Sequence, residues 1–172
     1  MIERKCETGD RASTALYSDC ELYRYGLTRI WDAGGRKLLY IMLNPSRATE
    51  EQNDPTIERC ERRAVALGYG GFRVCNLFGL RETDPAKLKL HEAPEGPDND
   101  LVLIDACLWA DDILCAWGVH GVHRDRASRV EAMLRATKEP LFSLGLTRHG
   151  HPRHPLYVSY SVRPQPWTAG SA

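Results

Sequence analysis

The run KLLYIMLNPS, Lys37 to Ser46, constrains this chain more than any other stretch. Leu38, Leu39, Ile41, Met42 and Leu43 are apolar without strict alternation, the pattern of a strand covered on both faces. Pro45 then ends the ladder, because its ring nitrogen has no hydrogen to donate. The chain must leave the sheet there, at the carboxyl edge where open α/β sheets bind ligands, with Asn44 and Ser46 at the exit.

Residues 72–78 (FRVCNLF), 112–117 (DILCAW) and 141–144 (LFSL) read as three more strands of the same buried type. Helical segments alternate with them. Asp54 is a natural N-cap with Pro55 at the first helical position and Gly68 past the end. Ile57, Cys60, Ala64 and Leu67 give that helix one apolar face. Asp84-Pro85 opens a short helix, Leu101, Ile104 and Leu108 mark the apolar side of a third, and Ala127, Val130, Met133 and Leu134 that of a fourth. This alternation predicts an α/β fold, a three-layer α/β/α sandwich around a central, mostly parallel sheet. The stretch 21–31 and the Leu38–Leu43 strand, joined by a turn at Asp32 to Gly35, predict an opening β-hairpin. Residues 1–163 are then one domain and 164–172 a loose C-terminal tail.

Composition excludes several classes. No run of 18 apolar residues occurs, so no membrane span is expected, and MIERKCETGD has no apolar leader core, which predicts a cytoplasmic protein. The six cysteines, Cys6, Cys20, Cys60, Cys75, Cys107 and Cys115, include no C-x-x-C pair and are expected as free thiols. His120 and His123 do not have the spacing of a recognised metal-ligand set, so no metal and no cofactor is expected. Net charge is zero, but no Asp or Glu follows Glu139, whereas Arg148, Arg153 and Arg163 remain beside His149, His151 and His154. A local positive face of this kind can contact phosphate in a neutral protein. A monomer is expected.

In a parallel sheet the strand ends share one edge, so Asn44-Pro45-Ser46, Asn76 and the loop GLTRHGHPRHP should converge on one cleft. At this point the residues reach a resemblance. IMLNPS (41–46), VCNLFGL (74–80), ILCAWGVHG (113–121) and HPRHPLYV (151–158) resemble, in order and approximate spacing, four motifs of the uracil-DNA glycosylase superfamily. With NDPT (53–56), the pattern also resembles a bacterial and phage family of uncharacterised proteins that looks like a branch of that superfamily.

The resemblance implies a uracil-DNA-glycosylase-like fold and a DNA glycosylase that flips a damaged or modified pyrimidine from DNA and hydrolyses its N-glycosidic bond, in repair or in defence against modified phage DNA. It implies that Asn44 positions the attacking water and that His154 donates to the base O2 as charge builds there. Asn76 would read the base edge, with Pro45, Ser46 and His151 around it. Arg148 and Arg153 would contact phosphate, and Leu156 or Tyr157 would wedge into the gap left by the base. The resembled uracil-specific branch has a Tyr where this chain has Ser46, which leaves room beside pyrimidine C5 and points to a 5-substituted base. The register does not decide between His151 and His154; the Pro155-Leu156 that follows favours His154. Tyr40, Tyr69 and Phe72 are candidates for stacking on the base. Two other readings use the same cleft: hydrolysis of free modified nucleotides, and nucleic-acid binding without chemistry.

Overall fold

The computed structural model describes residues 1–168. Its chain order is β1 (Ile2–Thr8), β2 (Arg11–Tyr17), β3 (Arg24–Ile30), β4 (Lys37–Met42), α1 (Pro55–Ala66), β5 (Gly71–Asn76), α2 (Pro85–Leu90), α3 (Asn99–Trp109), β6 (Asp112–Cys115), α4 (Arg126–Thr137), β7 (Leu141–Ser143) and β8 (Gln165–Trp167). The fold is mixed α/β, with eight strands in one sheet ordered β1-β2-β3-β5-β4-β6-β7-β8.

Only the centre of the sheet is parallel. β4 pairs in parallel with β5 and β6, and β6 with β7. The β1–β2, β2–β3, β3–β5 and β7–β8 pairings are antiparallel. The expected mostly parallel sheet is therefore corrected to a mixed one. The expected hairpin of β3 with β4 does not form, because β5 lies between them and pairs with both. The hairpin that opens the domain is β1–β2, turned at Gly9 with φ of 59° and Asp10.

Two apolar clusters cover opposite sides of the central strands. Leu38, Tyr40 and Met42 of β4 and Phe72 and Val74 of β5 pack with Ile57, Cys60 and Ala64 of α1. The alternate residues Leu39, Ile41 and Cys75 pack with Val102, Leu103, Ala106 and Cys107 of α3 and Val130 and Leu134 of α4. Period-two alternation thus gives each helix group its own side.

Two local expectations change. Leu101, Ile104 and Leu108 lie on the exposed side of α3, not the packed one. That helix is apolar almost all round, and it turns Val102, Leu103, Ala106 and Cys107 inward; Val102 lies over Gly26, where a Cβ would stand 4.0 Å from it. The segment 164–168 is not a loose tail either, because β8 adds to β7 and Trp167 is 8% exposed, its ring edge-on to Trp117 at 5.5 Å. The rest of the expected tail, 169–172, lies outside the described residues.

All six cysteines are free, and Cys60, Cys75, Cys107 and Cys115 are buried. Among the described residues, no helix is long and apolar enough to cross a membrane, and no three His, Cys, Asp or Glu side chains are grouped to hold a metal ion.

Candidate functional site

The segments that follow β4, β5, β6 and β7 all leave the sheet at one edge, and together they wall a cavity of about 530 Å³. Met42, Asn44, Ser46 and Asp54 come from the first segment, Glu82 and Thr83 from the second, Trp117, Gly118 and His120 from the third. Thr147, Arg153, His154, Leu156 and Tyr157 come from the last. Convergence at a shared carboxyl edge is the arrangement that the strand ends predicted.

The first wall is set by local capping. Asp54 Oδ1 accepts the Ile57 N–H at 2.9 Å at the start of α1, and Oδ2 accepts the Ala48 N–H at 3.3 Å. Arg29 from β3 reaches the same loop, donating from Nη2 to the Thr49 carbonyl at 2.6 Å and to Asn53 Oδ1 at 3.1 Å. Arg24 donates from Nη1 to the Ala48 carbonyl.

Asn44 ties the first wall to the second. Its Nδ2 donates to the carbonyls of Pro45, Leu80 and Glu82 at 3.1, 3.3 and 2.6 Å. Three acceptors around one end of the amide fix which end is nitrogen. Oδ1 accepts no hydrogen bond from the described residues and is left to the cavity that Asn44 lines. Glu82 Oε1 accepts the Thr83 and Asp84 N–H groups at 2.8 and 3.0 Å, and these bonds hold its carboxyl below the usual pKa.

The last wall is held from two directions. Gly118 donates its N–H to the Pro152 carbonyl at 2.8 Å, joining the end of the Ala116-Trp117-Gly118 segment to the final loop. From α1, Arg59 donates to the Pro155 and Val158 carbonyls at 3.3 and 2.8 Å. Buried Arg63 donates to the carbonyls of Val162, Val158 and Ser159 at 2.6, 3.0 and 3.0 Å. The basic residues of α1 thus shape the loop that carries His154.

His154 Nδ1 accepts the Leu156 N–H at 3.3 Å, so the neutral ring carries its proton on Nε2. Burial lowers the His154 pKa below the usual histidine value, partly opposed by Asp54, which keeps the ring neutral near pH 7. A neutral imidazole with a free Nε2–H is a hydrogen-bond donor.

Of the expected site residues, the cavity gathers Asn44, Ser46, Arg153, His154, Leu156 and Tyr157. Pro45 is buried behind it. His151 lines a separate cavity of about 220 Å³ with Trp117 and Trp167, so it is His154 of the two that faces the shared space. Arg148 is exposed outside the cavity, and neither it nor Arg153 has an ion-pair partner among the described residues. Asn76 is 1% exposed and sits under the cavity beside Met42, its register partner on β4. Its Oδ1 and Nδ2 both lack a partner, while its carbonyl accepts the Asn99 amide at 3.0 Å.

The three aromatic candidates for stacking lie elsewhere. Tyr40 and Phe72 are fully buried in the core, their rings 5.9 Å apart, and Tyr69 bonds Asp112 at the opposite end of the strands at 2.5 Å. The aromatics of the cavity are Trp117 and Tyr157, the latter 79% exposed at the rim. His120 lines the cavity with Nδ1 3.3 Å from Lys89 Nζ, whereas His123 packs on Phe78. Arg24, Asp54, Glu82 and Trp117 are wall residues that were not singled out as site candidates. Arg24 had one sequence signal, a charge among the apolar positions of the β3 stretch.

Residues 24–156 match the family described as protein of unknown function (DUF1643). The chain belongs to that family. The match begins at Arg24 and ends at Leu156, so it takes in the cavity-forming segments except Tyr157 and leaves out β1, β2 and β8. No curated protein and no solved structure matches the chain.

Proposed function

We propose that this member of the family is a DNA glycosylase that excises a damaged or modified, 5-substituted pyrimidine. On this reading the sheet with helices on both sides is the three-layer α/β/α sandwich of the uracil-DNA glycosylase superfamily, with antiparallel additions at its flanks. One observation carries the reading: Asn44 with a free Oδ1 and neutral His154 with a free Nε2–H share a cavity whose rim holds exposed Arg153 and Tyr157.

The chemistry follows from those atoms. The N-glycosidic bond breaks with its electron pair moving onto the base, and the oxygen of a water molecule bonds to the sugar C1′. Asn44 Oδ1 accepts a hydrogen bond from that water and orients its lone pair, and the proton is lost to solvent. His154 Nε2–H donates to the base O2 as negative charge gathers there. An amide is no base near neutral pH, so the reaction leans on orientation and on stabilising the leaving base. Ser46 leaves space beside C5, Tyr157 offers a face or wedge at the rim, and Arg153 offers phosphate a cation. Asn76 supports the reading as a buried amide with neither end paired, one strand away from the base site.

The test is abasic-site formation. Purified protein is incubated with duplex and single-stranded DNA carrying thymine mismatches, 5-substituted pyrimidines or natural phage hypermodifications, then treated with alkali. Strand breaks at one class of pyrimidine, reduced about 100-fold or more in His154→Ala, are the expected result. Release of base from free nucleotides alone would favour the nucleotide hydrolase. Retention of DNA without any break would favour a binding protein.

A further inference from the structure

Four arginines are almost fully buried among the described residues: Arg24, Arg29, Arg63 and Arg126. Three of them act as clamps. Arg29 donates to the Thr28 and Thr49 carbonyls and to Asn53 Oδ1. Arg63 donates to three carbonyls of the final loop. Arg126 donates to the Leu77 carbonyl and pairs with Asp100.

Arg24 differs from all three. Among the described residues it makes one side-chain hydrogen bond, from Nη1 to the Ala48 carbonyl, and like Arg29 and Arg63 it has no ion pair. Its Nε is buried without a partner, as are those of Arg29 and Arg63, but of the four arginines it alone lines the cavity. The cavity carboxylate that acts on it, Asp54, has each oxygen taken up by a backbone N–H, and Arg29 and Arg81 add like charge nearby. Burial draws the Arg24 pKa down to about 10, which still leaves a cation at neutral pH. A desolvated guanidinium with so few partners is costly to maintain by packing alone. The edge left over is that of Nε and Nη2, whose parallel N–H bonds match two oxygens of one carboxylate or phosphate.

We propose that the inner end of the cavity is an anion subsite in which Arg24 holds a carboxylate or phosphate group of the bound nucleotide. The inference rests on the reading of the cavity as a nucleotide site and adds the charge of the substrate to it. Backbone phosphate meets exposed Arg153 at the rim, so the group that reaches buried Arg24 belongs to the base, as an anionic substituent in the space beside Ser46. A mononucleotide phosphate inserted inward is the other source of the same chemistry.

Calorimetric titration of the full-length protein separates them. The probes are 5-carboxyuracil against its neutral isostere 5-carboxamidouracil, and deoxyuridine 5′-monophosphate against deoxyuridine. The expected result is that 5-carboxyuracil binds about 10-fold or more tightly than the carboxamide. Arg24→Met should erase that preference, and Arg24→Lys should keep part of it. An Arg24-dependent gain for the monophosphate alone upholds the subsite and assigns the charge to phosphate. Equal binding within both pairs by the wild-type protein overturns the proposal, whether or not Arg24→Met folds. The two readings fail separately: Arg24-dependent anion binding without abasic sites would refute only the glycosylase. Excision indifferent to the charge of the substituent, with no binding preference, would refute only the subsite.

Discussion

The Gly118 amide donates to the Pro152 carbonyl at 2.8 Å, and this bond couples the exit of β6 to the loop that presents His154 two residues later. Gly118 has φ of 71° and ψ of −165°, a conformation open almost only to glycine. A Cβ there would stand 3.9 Å from His154 Cβ, an ordinary contact, so the cost of Gly118→Ala is backbone strain rather than collision. A loss of about 1–3 kcal/mol in urea unfolding is expected. If the protein is the proposed glycosylase, base excision should fall further than stability accounts for, since any relaxation of the strain moves the His154 loop.

Arg63 is the central tie between α1 and the final loop. Arg63→Met removes three hydrogen bonds to the final loop, leaving the Val162 carbonyl without its donor while Val158 keeps Arg59 and Ser159 keeps the Val162 N–H, and about 3 kcal/mol of destabilisation is expected from denaturant titration. Arg59→Met, at a partly exposed position with two such bonds, should cost about 1 kcal/mol. Both should weaken ligand binding in the cavity, because Pro155 and Val158 flank the lining residues Leu156 and Tyr157. Equal stability of Arg63→Met and wild type would remove the clamp from the account.

Trp167 makes the C-terminal strand part of the domain. Its ring packs edge-on against Trp117, and Arg135 lies 5.0 Å over it while donating to its carbonyl at 3.0 Å. Trp167→Ala should cost about 3–5 kcal/mol, read as a lowered melting temperature. Truncation after Arg163 should do the same, whereas a true tail would leave stability unchanged.

What the sequence revealed follows the strength of its patterns. The exit of β4 was legible because an unbroken apolar run stops at Asn44-Pro45, whereas the β5 strand was read on to Phe78, two residues past its end at Asn76; the caps Asp54 and Asp84 bond the N–H groups of Ile57 and Ala86. The β1 strand was not, because Glu3, Arg4, Lys5 and Glu7 are exposed on an edge strand that has no apolar face to announce it; Gly9-Asp10 was its only turn signal. Which strand pairs with β3 is a long-range choice that local spacing cannot make, so adjacency suggested β4 where β5 inserts. In the site, Asn44 was found through its place at a strand end, and His154 through the resemblance carried by the final loop. Asn76 was expected to line the cavity but continues the inward alternation of Phe72 and Val74, which takes it under the cavity. Arg24 was passed over because a charged residue reads as surface until its burial is seen.

Acidification should report His154. Burial puts its pKa in the folded protein below the unfolded value of about 6.5, so the unfolded chain binds more protons between the two values. Stability is therefore highest above the unfolded value and falls as pH drops through the interval, becoming level below the folded pKa. His120 is lowered too, by burial and then by Lys89, and contributes with the same sign. The lowered carboxyls Glu58 and Glu82 lose their contribution only at more acid pH, near the carboxylate range. His154→Asn should flatten the stability profile just below about pH 6.5 relative to wild type. His120→Asn in the same background should remove what slope remains.

On the proposed reading, Asn44→Asp gives the sharpest test of how this cavity would differ from the carboxylate-bearing branch that the sequence motifs resemble. By analogy alone, a carboxylate at this position would add a general base and raise the rate. The geometry here argues the reverse. Asn44 Nδ2 is the donor to three carbonyls, and one of these, Glu82 at 2.6 Å, anchors the second wall. A carboxylate would set an anionic oxygen against those three acceptors, with no N–H to offer them. The new acid would be pushed toward its protonated form, or the 80–82 segment would move away. A stability loss of about 2–3 kcal/mol is expected, together with lower excision at neutral pH and partial recovery of stability below about pH 5, where the carboxyl protonates and can donate one bond again. Asn44→Ala, which removes the donor without adding charge, should be less destabilised than Asn44→Asp at pH 7 and show no such recovery. Faster excision by a fully stable Asn44→Asp would mean that the three carbonyls do not hold this amide, and that water is activated in this cavity as in the carboxylate branch.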